Sequence, residues 1–204
     1  MIRILKVLTL AATVLSVAAP VRAGQYDAVF GDVQRMLGQA AKNDEAGLNA
    51  IRQQLENLAK PAHRNAKEAR ALNQQGLDAL KRNDYQAAAT AFQKAQETDP
   101  ADVEVAGNLG YANLKLGQFR RAEHQLTYAI SLAPGRSSSW FNLGQVYGAL
   151  GEIEKAAGAF AAAYRFSQNP SKTLEFMRQA LTAPENNETT RAALKRTLDL
   201  SKLP

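Results

Sequence analysis

The sequence contains no cysteine, which rules out disulfides, a thiol nucleophile and, for an exported chain, a lipid-modified N-terminal cysteine. Histidine is almost as scarce: His63 and His124 are the only two. Neither has a serine or carboxylate partner at a recognisable spacing, and two isolated histidines do not make a metal site. The densest acidic cluster, Glu97, Asp99 and Asp102, reads as a solvated turn, because a calcium loop needs more ligands at regular spacing. Gly135-Arg136-Ser137-Ser138-Ser139 lacks the Gly-Lys-Ser/Thr ending of a phosphate loop and reads as a linker that caps the next helix. Runs of Val, Ile, Thr and aromatics that would make strands are also missing, whereas Ala, Leu, Gln, Lys and Arg are abundant. These absences predict an all-α chain that is not an enzyme and has no catalytic residue, metal site or cofactor. Binding to another protein is the function left open.

The first 23 residues differ in kind from the rest. Arg3 and Lys6 give a positive start, Val7 to Ala19 is an uncharged apolar stretch, and Val21-Arg22-Ala23 places small residues where a signal peptidase reads them. This is the layout of a secretory signal peptide over 1–23, with a mature chain that starts near Gly24 and is periplasmic or secreted. The stretch is short for a membrane span, which needs about 20 apolar residues. The segment carries three basic residues and no acidic one. The mature chain therefore has 22 Lys+Arg against 19 Asp+Glu, a net charge of +3 instead of +6. That balance is no nucleic-acid signature.

Internal periodicity is the strongest feature. Trp140, Leu143, Gly144, Tyr147, Ala156, Phe160 and Ala163 recur 34 residues earlier as Ala106, Leu109, Gly110, Asn113, Ala122, Leu126 and Ala129. A further 34 residues back stand Leu72, Gln75, Gly76, Ala79, Ala88, Phe92 and Ala95. The pattern resembles the tetratricopeptide repeat, W-x2-L-G-x2-Y followed by A-x3-F. It gives three helix-turn-helix units at 69–102, 103–136 and 137–170, with turns at Arg82-Asn83-Asp84, Leu116-Gly117-Gln118 and Leu150-Gly151-Glu152. Pro100 and Pro134 close the first two units, and Pro170 falls two residues late for the third. Residues 171–204 continue the phase as a degenerate fourth repeat or pair of capping helices. Residues 24–68 read as an N-terminal helical hairpin that caps the array. Its narrow stripe of Leu48, Ile51, Leu55 and Leu58 also fits self-association through 26–60. The resemblance implies a right-handed α-solenoid.

In this family the first helix of each unit lines a concave groove where ligands lie. Carried over by phase, the groove residues are Arg70, Asn73, Leu77 and Lys81 from the first unit. The second contributes Tyr111, Leu114 and Lys115 along with Glu104 and Gly107, and the third Phe141 and Gln145 along with Ser138 and Gly148. Tyr111 and Phe141 would anchor a partner, and the cations would favour an acidic segment with apolar anchors. The two-lysine, two-asparagine, one-arginine clamp of chaperone-binding relatives reads here as Asn73, Leu77, Asn108, Ser138 and Asn142. Only the middle asparagine is kept, so carboxylate clamping of that type is not expected. What the resemblance implies is a periplasmic adaptor that helps to assemble or retain an envelope complex. The alternative is an inhibitor or immunity-type protein that blocks an enzyme.

Overall fold

A computed structural model describes residues 23–200, which form ten α-helices and no strand. The segment read as a signal peptide lies, except for Ala23, outside the described residues. The helices are α1 (Ala23–Ala41), α2 (Glu45–Glu56), α3 (Ala66–Lys81), α4 (Tyr85–Thr98), α5 (Val103–Lys115), α6 (Phe119–Leu132), α7 (Ser137–Ala149), α8 (Ile153–Arg165), α9 (Pro170–Thr182) and α10 (Glu188–Leu200). No helix among the described residues is long and apolar enough to cross a membrane.

The repeat is built by one contact made three times. A Cβ at Gly110 would lie 2.6 Å from Leu126, and one at Gly144 would lie 2.6 Å from Phe160; at Gly76 it would strike the Phe92 ring. Each glycine therefore lets the first helix of its unit close on a large residue of the second, sixteen positions on. Phe92, Leu126 and Phe160 are all fully buried as a result. The turns share a design too. Asn83, Gly117 and Gly151 have φ of 57°, 70° and 81°, the left-handed geometry that ends a helix and that glycine and asparagine adopt at least cost. Asp84 and Asp102 then cap the N-termini of α4 and α5, accepting from Ala87 N–H at 3.0 Å and Val105 N–H at 3.1 Å, each cap contributing about 1 kcal/mol. Asp99 and Ala133, each before a proline, leave the helical region and stop α4 and α6.

Residues 23–56 form a helical hairpin, and its turn repeats the same chemistry: Asn43 at φ 61° and Asp44 capping through Gly47 N–H at 2.9 Å. Its position differs from the expectation. The hairpin does not sit on α3 and α4 at the start of the array. It lies along the second helices, with α1 across α8 and both α1 and α2 touching α6. Val33, Met36, Leu37, Leu48 and Leu55 are buried in one core with α6, α7 and α8, each side chain contributing about 1.5–3 kcal/mol over exposure. The stripe suggested for self-association is thus covered within the chain: Leu48, Ile51 and Leu55 are buried and Leu58 packs against the same core. Polar pins fix the dock. Gln34 donates to the Tyr147 hydroxyl at 2.6 Å, and Arg165 bonds Asn43 and pairs with Glu45 at 2.5 Å. Burial pushes the Tyr147 hydroxyl well above its ordinary range, so it stays protonated.

The linker from α2 to α3 is held by an acidic side chain read from sequence as solvated. Asp99 is 1% exposed. Its carboxylate faces His63 Nδ1 at 2.8 Å and accepts the Arg64 and Ala101 N–H groups, each at 3.2 Å. His63 therefore has a carboxylate partner after all, 36 residues away in sequence. Burial alone would push the Asp99 carboxyl up, but the bonds from His63 and the two amides more than offset this and hold it below its ordinary value. A depressed folded-state pKa adds stability that is complete above the unfolded value of about 4 and is lost as pH falls through the folded value. We expect Asp99→Asn to flatten the acid limb of the thermal midpoint below about pH 4. Melts of both proteins across that range check this, and parallel acid limbs would refute it.

At the far end, α10 packs on both α7 and α8. Asn187 donates to the Gly148 carbonyl at 2.9 Å, and a Cβ at Gly148 would lie 2.9 Å from Thr190 Cβ. Gly148 is therefore covered by α10 and does not face an open groove. Pro170 opens α9 as its first residue, with Asn169 capping Lys172 N–H at 3.0 Å; it does not close the third unit. Helix α9 packs mainly on α10 and more lightly on α8, and buries only Met177 and Ala180. It stands as a separate wall beside the array.

Candidate functional site

The wall formed by α9 creates a cavity. It is an open groove of about 1120 Å³ between α5, α7 and α9, bordered by residues 135–137, 166–169 and 185–187. From α5 come Tyr111, Leu114 and Lys115; from α7 Ser138, Phe141, Asn142 and Gln145; from α9 Lys172, Thr173 and Phe176. The repeat period explains the first two sets. One face of each first helix packs on its unit's second helix, so the opposite face of α5 and α7 is left pointing into the space beside α9.

Five residues carried over by phase meet here: Tyr111, Leu114, Lys115, Phe141 and Gln145. The four from the first unit do not line the cavity. Asn73 is 8% exposed and accepts from Asn108 Nδ2 at 3.0 Å, so it joins the first unit to the second. Leu77 packs against the small core of Phe92 and Leu109. Lys81 pairs with Asp78 at 2.8 Å, and Arg70 is exposed on α3. Phe141 is largely buried, with its ring centroid 5.2 Å from Phe160 and 4.8 Å from Phe176. It is both a packing residue and part of the cavity wall.

The cavity is aromatic and cationic. Lys115, Arg136 and Lys172 line it, against one acidic side chain, Glu185. Among the described residues none of these three cations pairs with a carboxylate. Lys115 Nζ stands 5.6 Å from the centroid of the Tyr85 ring, which holds it by cation–π attraction without neutralising it. By contrast Arg120 and Lys155, on the second helices, both pair with Glu152. The amides of Asn142 and Gln145 supply donors and acceptors beside the aromatic side chains. His63 and Asp99 face each other at the linker, and no group of metal-ligating side chains occurs among the described residues.

Sequence reasoning missed Lys172 and Phe176. A signal for Phe176 existed: Leu174, Met177 and Leu181 carry the apolar stripe of α9, and Phe176 stands at its edge, an aromatic beside the stripe.

Helix pairs stacked on a 34-residue period, with a cavity along their first helices, define an α-helical repeat solenoid. Two tetratricopeptide-repeat family models match the chain, over residues 79–127 and 108–170. Among curated proteins, the chain is 24% identical over 159 residues to human RNA polymerase II-associated protein 3, an overlap covering 76% of this chain and 24% of that one. It is 27% identical over 97 residues to the rice protein SGT1 homolog, covering 48% and 26%. The chain thus spans about a quarter of the length of these relatives. Among solved structures, the first tetratricopeptide domain of Spaghetti (RPAP3), bound to the HSP90 peptide SRMEEVD, superposes with a TM-score of 0.53 at 22% identity, covering 60% of this chain and all of that one. The Arabidopsis OM64 domain gives 0.52 at 20%, covering 67% and 98%. The Sgt2 domain of Aspergillus fumigatus gives 0.51 at 19%, covering 66% and 80%. These likenesses establish the fold.

Proposed function

We propose that this chain is an exported adaptor whose cavity between α5, α7 and α9 holds an acidic, apolar-anchored segment of a partner protein, and that it helps to assemble or retain a complex of the cell envelope. The observation that carries the reading is the convergence of Tyr111, Phe141 and Phe176 with three cations that lack carboxylate partners. Aromatic anchors supply most of the energy of such contacts, and complementary charge sets encounter rate and specificity. Export rests on the layout of residues 1–23. The structure of Spaghetti (RPAP3) with its HSP90 peptide offers a precedent for a bound peptide on this fold. The manner of holding differs here, because Asn73 and Asn108 bond to each other and Leu77 replaces a polar clamp residue.

The test is a crosslinking pulldown from the native envelope fraction, comparing wild type with Tyr111→Ala/Lys115→Glu. Both side chains are only partly buried, so the variant should match wild type in thermal midpoint. We expect one or a few proteins to be recovered by wild type and lost by the variant. Recovery of the same proteins by both would move binding to another surface. A single enzyme held one-to-one at nanomolar strength would point instead to an inhibitor.

A further inference from the structure

Helix α9 leaves one large apolar side chain half in water. Phe176 is 54% exposed, one of two large hydrophobic side chains left exposed among the described residues. The apolar stripe of α9 does not need it, since Met177 and Ala180 make the buried contacts. It lies against Phe141 with ring centroids 4.8 Å apart and lines the cavity. An aromatic ring held partly in water along a groove forgoes part of its burial energy unless something else covers it. Lys172, one turn earlier on the same helix and four positions away, faces the same cavity.

We infer that Phe176 is the selectivity residue of the site. It receives an aromatic or large aliphatic side chain of the acidic partner segment, while Lys172 on the same face of α9 takes a neighbouring carboxylate. The inference rests on the reading of the cavity given under Proposed function and adds what that reading lacks, the choice among acidic segments. Charge alone would admit any acidic stretch. Stacking on Phe176, backed by Phe141, discriminates by the size of one apolar residue, and the contact covers a ring that the free protein leaves in water. The selecting element lies outside the repeats, so the array can keep its helix packing while α9 sets the preference.

The test uses three short fluorescein-labelled polyglutamate peptides that differ only in a central Phe, Leu or Ala. Binding to the full chain is followed by fluorescence anisotropy, and by fluorine NMR of protein carrying 4-fluorophenylalanine at position 176. Wild type should bind the Phe peptide about tenfold more tightly than the Ala peptide, the ratio that about 1.4 kcal/mol gives, with the resonance at 176 shifting as the site fills. Phe176→Ala should fold normally, because the ring is exposed, and should bind all three peptides at the Ala-peptide level. If Phe176→Ala keeps the preference, or the resonance does not move at saturation, the inference is overturned while the cavity reading stands. If no peptide binds saturably, or binding ignores Lys115→Glu, both fail.

Discussion

Trp140→Ala should destabilise the protein by about 3–5 kcal/mol, the larger of the two effects the structure predicts. Trp140 is the single tryptophan and is fully buried. It fills the space at the base of the third unit, its ring 6.1 Å from that of Phe166 and its indole N–H donating to the Pro134 carbonyl at 2.7 Å. Truncation removes the packing and leaves a buried carbonyl without its donor, an omission that costs about 1–3 kcal/mol by itself. Trp140→Phe helps to separate the two contributions, since it keeps most of the ring volume while losing the bond. Urea unfolding followed by far-ultraviolet circular dichroism measures both, and the Phe variant should recover more than half of the loss. An Ala variant with the wild-type midpoint would mean that the third unit does not pack through its signature residue.

The repeated core was legible because each of its contacts is local in sequence. The pairs Gly76–Phe92, Gly110–Leu126 and Gly144–Phe160 lie within one unit, and a fixed period exposes them to anyone who aligns the chain with itself. The turns were legible for the same reason: Asn83, Gly117 and Gly151 hold one phase and all take positive φ. The hairpin of α1 and α2 was visible as helices but not as a position. Its dock on α6 and α8 joins residues more than a hundred apart, as Gln34 to Tyr147 shows, and no period links them. One sign was present and unread. Helix α8 is AAGAFAAA over 156–163, small and apolar on every side, and every residue of that run is buried. A helix apolar all round is covered all round, so something besides the array had to lie on it.

The candidate site divides along the same line. Tyr111, Leu114, Lys115, Phe141 and Gln145 follow from the repeat phase and line one cavity, whereas Arg70, Asn73, Leu77 and Lys81 share that phase and do not. The reason lies outside the repeats. Helix α9 encloses the array only beside α5 and α7, leaving α3 without an opposing wall. Asn73 is further committed by Asn108, whose amide satisfies it across the junction of units. The acidic cluster was misread because burial of Asp99 depends on the linker from α2 folding back over the end of α4, which brings Arg64 N–H and His63 to it. A local reading of charge and turn residues has no access to that return.

The position of the hairpin makes a prediction whose sign separates two accounts of one glycine. In an isolated helix Gly158→Ala stabilises, because Gly is about 0.8–1.0 kcal/mol less favourable than Ala in a helix interior. Here a Cβ at position 158 would collide with the Leu37 carbonyl oxygen and lie 2.9 Å from its carbon. Those atoms belong to the backbone of α1, which cannot turn aside as a side chain can. The substitution should therefore destabilise, by about 1–3 kcal/mol for an overpacked contact, with the helix-propensity gain more than cancelled. Gly38 supplies the control within the same hairpin: it lies in α1 with nothing within 4 Å of a new Cβ, so Gly38→Ala should be neutral or slightly stabilising. Gly158→Val should go further and lift α1 from α8, exposing Val33, Met36 and Leu37 together with the alanine face beneath them. That state should show increased binding of an apolar dye and faster proteolysis at the Lys42–Asp44 turn. If Gly158→Ala raises the thermal midpoint as Gly38→Ala does, α1 does not cross α8 at that point, and the covering of the second helices by the hairpin must be abandoned.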